Sequence, residues 1–211
     1  MKDLLKGLYL ITDESLIDQS SYFSLIETFL ANHVDILQLR IKDASEDEVL
    51  YKAKELRKIT SKYKTLFIIN DNLNIALESE ADGLHIGKND QSFNDCRRAL
   101  GKEKVIGVSC YGDLNRVKKF KDLGADYVAI GTPYFTKTKP DREPTSFSLM
   151  NSIVNQNPDY PIFAIGGIEV SNTREVLKTG VTGIAVINGI LSHEDSSDKV
   201  NQFNEILENF S

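Results

Sequence analysis

What this sequence has little of narrows its class before any motif is read. It holds two cysteines in 211 residues, Cys96 and Cys110, and their separation matches no metal or redox spacing. A reduced, cytoplasmic protein is the expectation. Proline is scarce, and no stretch is rich in Pro, Gly or Ser, so no linker divides the chain. No uninterrupted apolar run approaches the length that spans a bilayer. The N-terminal MKDLLKGLYLITDE has acidic residues around its short apolar stretch and no small-residue cleavage site behind it. It reads as a strand, not a signal peptide. Positive charge is not in excess either. The formal net charge of −6 argues against nucleic acid or an anionic membrane as partner. A small phosphorylated ligand stays open, because local Lys and Arg clusters decide that.

What is present is a rhythm. The length suits one domain over residues 1–211, enough to bury a sizeable core. Eight short runs are almost continuously apolar: GLYLIT (7–12), DILQLR (35–40), TLFIIN (65–70), GLHIG (83–87), VIGVSC (105–110), YVAIG (127–131), PIFAIGG (161–167) and GIAVIN (183–188). Strands buried on both faces of a parallel sheet have this composition. Between the runs, helical stripes recur: Leu25, Ile26, Phe29 and Leu30; Val49, Leu50, Ala53 and Leu56; Val117, Phe120 and Leu123. Gly124 and Gly180 stand where helices should stop. Eight strand-then-helix units predict a (β/α)8 barrel. An open doubly wound sheet would want glycines in the first turn, and LYLITDESL has none.

A barrel of this kind keeps its chemistry on the loops after the carboxyl ends of the strands. Polar residues stand at those ends. Strand 2 runs into Gln38, Arg40 and Lys42, which share one parity if the strand persists that far. Strand 3 ends in Asn70 and Asp71, and strand 4 is followed by Asp90. Strand 5 ends near Ser109, and strand 6 opens into Thr136, Thr138 and Lys139. Strands 7 and 8 end in Gly166–Gly167 and Ile187–Asn188. Arg40, Lys42 and Lys139 form a cationic set able to hold a phosphate or pyrophosphate. Asp71 and Asp90 beside them suggest Mg²⁺ shared with that ligand, although each carboxylate also reads as a helix N-cap. The paired glycines let backbone N–H groups approach a second phosphate. His85 reads as a hydrogen-bonded residue of the barrel, and His33 and His193 have no assigned role.

The ordered set LYLITD, QLRIKD, IIND, ADGLHIGKND, GVSCY, ADYVAIGTPYFTKTKP, AIGGIEVSN and GIAVING resembles the thiamine-phosphate synthase family across residues 8 to about 190. The resemblance implies a transferase that joins hydroxymethylpyrimidine diphosphate to a thiazole monophosphate, releasing pyrophosphate before the thiazole nitrogen captures the pyrimidine cation. It implies that Gln38, Leu39, Arg40, Ile41, Lys42, Asn70, Ser109 and Lys139 bind the pyrimidine diphosphate. Lys42, Ser109 and Lys139 would act directly in the reaction. Thr136, Lys137, Thr138, Gly167, Ile187 and Asn188 would hold the thiazole phosphate, and Asp71 and Asp90 one Mg²⁺.

Four positions depart from the commoner family pattern: Lys88, Tyr111, Lys137 and Asn188. They bear on substrate preference rather than on the reaction. The partners expected are small molecules, with a homo-oligomer left open. Rival readings are a thiazole tautomerase of the same superfamily, a sugar-phosphate isomerase or aldolase, and a non-catalytic phosphate-binding barrel. The first would rely on a histidine acid/base, and His85 is the one histidine on the strands. The second would want a Schiff-base Lys or a paired acid and base.

Overall fold

The computed structural model describes residues 2–88, 90–136 and 143–210. Strands β1 (Gly7–Ile11), β2 (Ile36–Leu39), β3 (Leu66–Asn70), β4 (Gly83–Ile86), β5 (Val105–Tyr111), β6 (Tyr127–Gly131), β7 (Ile162–Ile165) and β8 (Gly183–Val186) pair in chain order. All pairs are parallel, and β8 returns to β1 to close the barrel. Outside lie α1 (Tyr22–Ala31), α2 (Glu46–Thr60), α3 (Leu73–Glu78), α4 (Phe93–Leu100), α5 (Leu114–Asp122), α6 (Phe147–Asn155), α7 (Thr173–Leu177), the short α8 (Asn188–Leu191) and α9 (Ser196–Glu208). The expected (β/α)8 architecture is therefore what the chain forms. No helix among the described residues is long and apolar enough to cross a membrane.

The continuity of the apolar runs has a plain cause, since each strand is buried on both sides. One parity, including Tyr9, Ile36, Ile68, Val105, Tyr127 and Phe163, fills the barrel interior. The other, including Leu8, Leu37, Phe67, Leu84, Ile106 and Ile184, packs beneath the helices. Gly107 belongs to the inner parity, and a Cβ there would collide with the ring of Tyr127. A glycine on β5 is what allows a tyrosine from β6 to occupy the axis.

At the amino-terminal end the strands are tied by a repeated device. Asp35, Asp82, Asp126 and Thr182 stand immediately before β2, β4, β6 and β8. Their side chains accept the backbone N–H of Leu8 (2.8 Å), Phe67 (2.8 Å), Ile106 (2.8 Å) and Ile162 (2.9 Å) on the preceding odd strands. Their own N–H groups donate back to the carbonyls of those same four residues, at 2.8–3.0 Å. Each link satisfies buried backbone groups that the parallel ladder would otherwise leave open at a strand start.

Two expectations need correction. β2 stops at Leu39, because the N–H of Arg40 donates to the Thr12 hydroxyl at 3.0 Å instead of continuing the ladder. The shared parity of Gln38, Arg40 and Lys42 therefore does not extend to Lys42. Leu123 belongs to no buried stripe: it caps the end of α5 and is exposed.

Candidate active site

The carboxyl ends of the strands surround a cavity of about 370 Å³. Its floor continues the inner parity upward, with Ile11, Gln38, Asn70, His85, Ser109, Ala129, Ile165 and Ala185 all facing it. Arg40, Thr136, Gly167, Ile187 and Asn188 supply the wall. Eight of the residues assigned to the two substrates thus meet at one place, drawn from β2 and the segment after it, from β3 and β5, and from the segments after β6, β7 and β8. Lys137, Thr138 and Lys139 lie outside the described residues.

The others are placed differently. Leu39 is 1% exposed and points into the layer between barrel and helices, so its side chain cannot touch a ligand in the cavity. Ile41 and exposed Lys42 line a neighbouring surface groove that Arg40 borders on its other side. The Arg40 guanidinium lies 3.9 Å from the Asp13 carboxylate, which holds its side chain between groove and cavity.

Asp71 and Asp90 are exposed at the ends of neighbouring strands. Neither caps a helix. Asn72 caps α3 by accepting from the Ile75 N–H at 3.1 Å, and Ser92 occupies the cap position of α4. Asp71 sits in the left-handed region (φ 62°) and accepts from the Asn70 amide at 2.6 Å. Such a backbone is costly for a residue other than glycine and is kept where the surroundings demand it. Asp90 accepts the N–H of Gly87. The Gly87 carbonyl is in turn held by Arg116, which also grips the Ser109 carbonyl at 2.8 Å. Arg116 thereby fixes the ends of β4 and β5 beside each other.

The loop after β7 is built around two glycines with positive φ, Gly166 (115°) and Gly167 (63°). A Cβ on Gly167 would strike the Phe135 carbonyl, so only glycine lets the loops after β6 and β7 approach this closely. Asn172 locks the loop: its amide donates to the Gly167 carbonyl and its oxygen accepts from the Glu169 N–H, both at 2.9 Å. Gly189 is constrained likewise by the Ile168 carbonyl. Backbone from two loops is thus brought to one side of the cavity.

Beneath the mouth runs a continuous chain of polar groups through the apolar interior. The Gln38 amide meets the Tyr9 hydroxyl at 2.5 Å, and Tyr9 meets the Tyr127 hydroxyl at 2.8 Å. Tyr127 meets His85 Nδ1 at 3.0 Å, and His85 Nε2 meets Ser109 Oγ at 2.9 Å. Burial pushes the Tyr9 and Tyr127 hydroxyls above the usual phenol range, so both stay protonated. His85 is indeed the hydrogen-bonded barrel residue expected from its place on β4.

Several lining residues carried no expectation. Glu169 and His193, 3.4 Å apart, face the cavity, as do Phe135 and Ser192. Phe135 is 72% exposed. Their only sequence signal was nearness to the strand-end motifs.

The family model of thiamine monophosphate synthase matches residues 8–190. The chain belongs to the thiamine monophosphate synthase family. The thiamine-phosphate synthase of Clostridium acetobutylicum is 38% identical over 207 residues, covering 98% of this chain and 97% of that protein. That of Clostridium botulinum (strain Loch Maree) is 39% identical over 189 residues, covering 90% and 92%. Among solved structures, thiamine phosphate pyrophosphorylase from Pyrococcus furiosus superposes with a TM-score of 0.89 at 32% identity, covering 99% of this chain and 98% of that one. The 3-hexulose-6-phosphate synthase of Salmonella typhimurium (TM-score 0.74, 18% identity, 97% and 100% covered) shares the fold.

Proposed function

We propose that this chain is a thiamine-phosphate synthase, transferring the hydroxymethylpyrimidine group from its diphosphate to the nitrogen of a thiazole phosphate. The observation that carries the reading is the single cavity in which Gln38, Arg40, Asn70 and Ser109 face Thr136, Gly167, Ile187 and Asn188. One side offers charged and hydroxyl donors, the other backbone on glycine-shaped loops, which suits two anionic substrates held close together.

On this reading Gln38, Asn70 and Ser109 orient the pyrimidine diphosphate. Arg40, with Lys42 at the adjoining groove and Lys139 from the loop after β6, meets the departing pyrophosphate. Charge concentrates on that group as its bond to carbon breaks. Preplaced cations therefore favour the transition state over the bound reactant. Thr136, Thr138 and the backbone around Gly167 and Asn188 hold the thiazole phosphate, with Lys137 beside them. They bring its nitrogen to the carbon as the leaving group departs. The apolar floor at Ile11, Ala129 and Ile165 keeps water from the capture step.

Asp71 and Asp90 fit a hard cation, being two carboxylates at neighbouring strand ends next to the phosphate-binding face. The described residues contain no cluster of three or more candidate ligands. Mg²⁺ held here would take its remaining oxygens from diphosphate and water, its usual habit. Bound there, it would supply charge stabilisation to the leaving group. A tautomerase would have to draw its histidine acid/base from His193, 3.4 Å from Glu169 at the cavity wall, because both ring nitrogens of His85 are engaged within the barrel.

The test is formation of thiamine phosphate by the purified protein from both half-substrates, with Mg²⁺ and with EDTA. Metal-dependent product, lost in Asp90→Ala, is expected. Folded protein that makes no product under either condition would overturn the reading.

A further inference from the structure

We propose that Tyr127, which lies below the cavity and is not among its lining residues, is a positioning residue that turns the Ser109 hydroxyl into an obligate hydrogen-bond donor toward the substrate. The inference rests on the reading that Ser109 meets the diphosphate. The chain Gln38–Tyr9–Tyr127–His85–Ser109 has both ends at the cavity and its middle in the barrel interior. Every hydroxyl has one proton to give. A buried one needs an acceptor for it and, among the described residues, finds one only along this chain. A neutral imidazole gives at one nitrogen and accepts at the other. The chain must therefore point one way or the other along its whole length.

Two independent considerations choose the same direction. At one end the Gln38 Nε2 donates to Tyr9. Tyr9 must then donate to Tyr127, Tyr127 to His85 Nδ1, and His85 Nε2–H to Ser109 Oγ. At the other end a diphosphate oxygen can only accept. The one Ser109 proton must go to it, so His85 must donate to Ser109. Both routes place the His85 proton on Nε2. The tautomer is set by the bond made at the other nitrogen, and that bond comes from Tyr127. The two phenols stay neutral because burial raises them, so the chain carries direction without carrying charge. Bonds arranged head to tail strengthen one another, and the last of them gains most when charge builds on the leaving group. The effect belongs to kcat more than to KM. Gly107, without a Cβ, leaves the room in which the Tyr127 ring reaches this position.

The first measurement is the protonation of His85 in ¹⁵N-labelled protein, where long-range ¹H–¹⁵N correlations tell which ring nitrogen carries hydrogen. Only three histidines need assignment. Nε2–H in the wild type, shifting towards a mixture in Tyr127→Phe, is expected. Nδ1–H in the wild type, or a tautomer indifferent to Tyr127→Phe, overturns the proposal. This readout needs no turnover, so failure of the synthase reading would show separately, in the product assay. The second measurement is kinetic. Tyr127→Phe should lower kcat roughly tenfold with KM changed less than about twofold, and should have almost no further effect in a Ser109→Ala background. A tenfold loss that persists without Ser109 would mean that Tyr127 acts by another route, and the proposal fails. Should Tyr127→Phe not fold, Tyr9→Phe interrupts the same chain one link earlier and answers the same two questions.

Discussion

The two ends of this barrel spend polar groups in opposite ways. At the amino-terminal end, Asp35, Asp82, Asp126 and Thr182 turn inward to the protein, each exchanging two hydrogen bonds with one residue of the preceding odd strand. At the carboxyl end, Arg40, Asn70, Ser109 and Thr136 face a cavity. The first arrangement consumes donors and acceptors to close the strands; the second holds them out for a ligand. A chain of hydroxyl, imidazole and amide groups below the cavity combines both habits, since its links are buried and its ends are presented.

This contrast can be broken by substitution. The largest effect is expected at the mouth: Arg40→Ala should lower kcat/KM roughly 100-fold, about 2.7 kcal/mol of transition-state stabilisation. Its stability should fall by no more than about 1 kcal/mol, the range of a long ion pair such as the one to Asp13. Steady-state kinetics beside urea unfolding would show the split. Next comes Asp126→Ala at the opposite end. It removes the acceptor for the Ile106 N–H and the partner of Arg97, at a cost of about 2 kcal/mol. The unfolding midpoint should fall with an unchanged m-value, while the folded fraction keeps its kcat.

Thr182→Val sharpens the comparison, because it keeps the shape and deletes only the acceptor for the Ile162 N–H. About 1 kcal/mol of stability should be lost, with no kinetic effect. The smallest effect concerns pH. Burial raises the Asp35 carboxyl above its usual range, so the folded state keeps its proton to higher pH than the unfolded chain. Its contribution is largest at low pH and declines as pH rises from the ordinary carboxylate value, about 3.9, through the higher folded-state value. Asp35→Asn should flatten that slope in thermal melts while retaining an acceptor for the Leu8 N–H.

How much of this was legible in the sequence differs between the same two ends. The barrel was legible because strands buried on both faces write unbroken apolar runs; β6 spans Tyr127–Gly131, the run as read. Gln38, Asn70 and Ser109 were legible as polar residues ending such runs. The amino-terminal ties were not. An Asp or Thr before a strand looks like any turn residue, and its partner lies 15–27 positions earlier in the chain. Lys42 was assigned to the cavity face by extending β2 three residues past Leu39, where the Thr12 hydroxyl ends the ladder. Glu169 and His193 were passed over because loop direction, not strand parity, carries them to the cavity. Tyr127 read only as part of an apolar run; its hydroxyl acquires meaning once β1, β4 and β6 bring Tyr9 and His85 around it.

The most direct test of the division between the ends is an amide NMR titration of the labelled protein with thiamine phosphate and pyrophosphate in the presence of Mg²⁺. The account predicts shifts at Asn70, Ser109, Gly167 and Asn188 and silence at Leu8, Phe67, Ile106 and Ile162. Shifts centred on the amino-terminal ties, with the residues at the mouth unmoved, would contradict it.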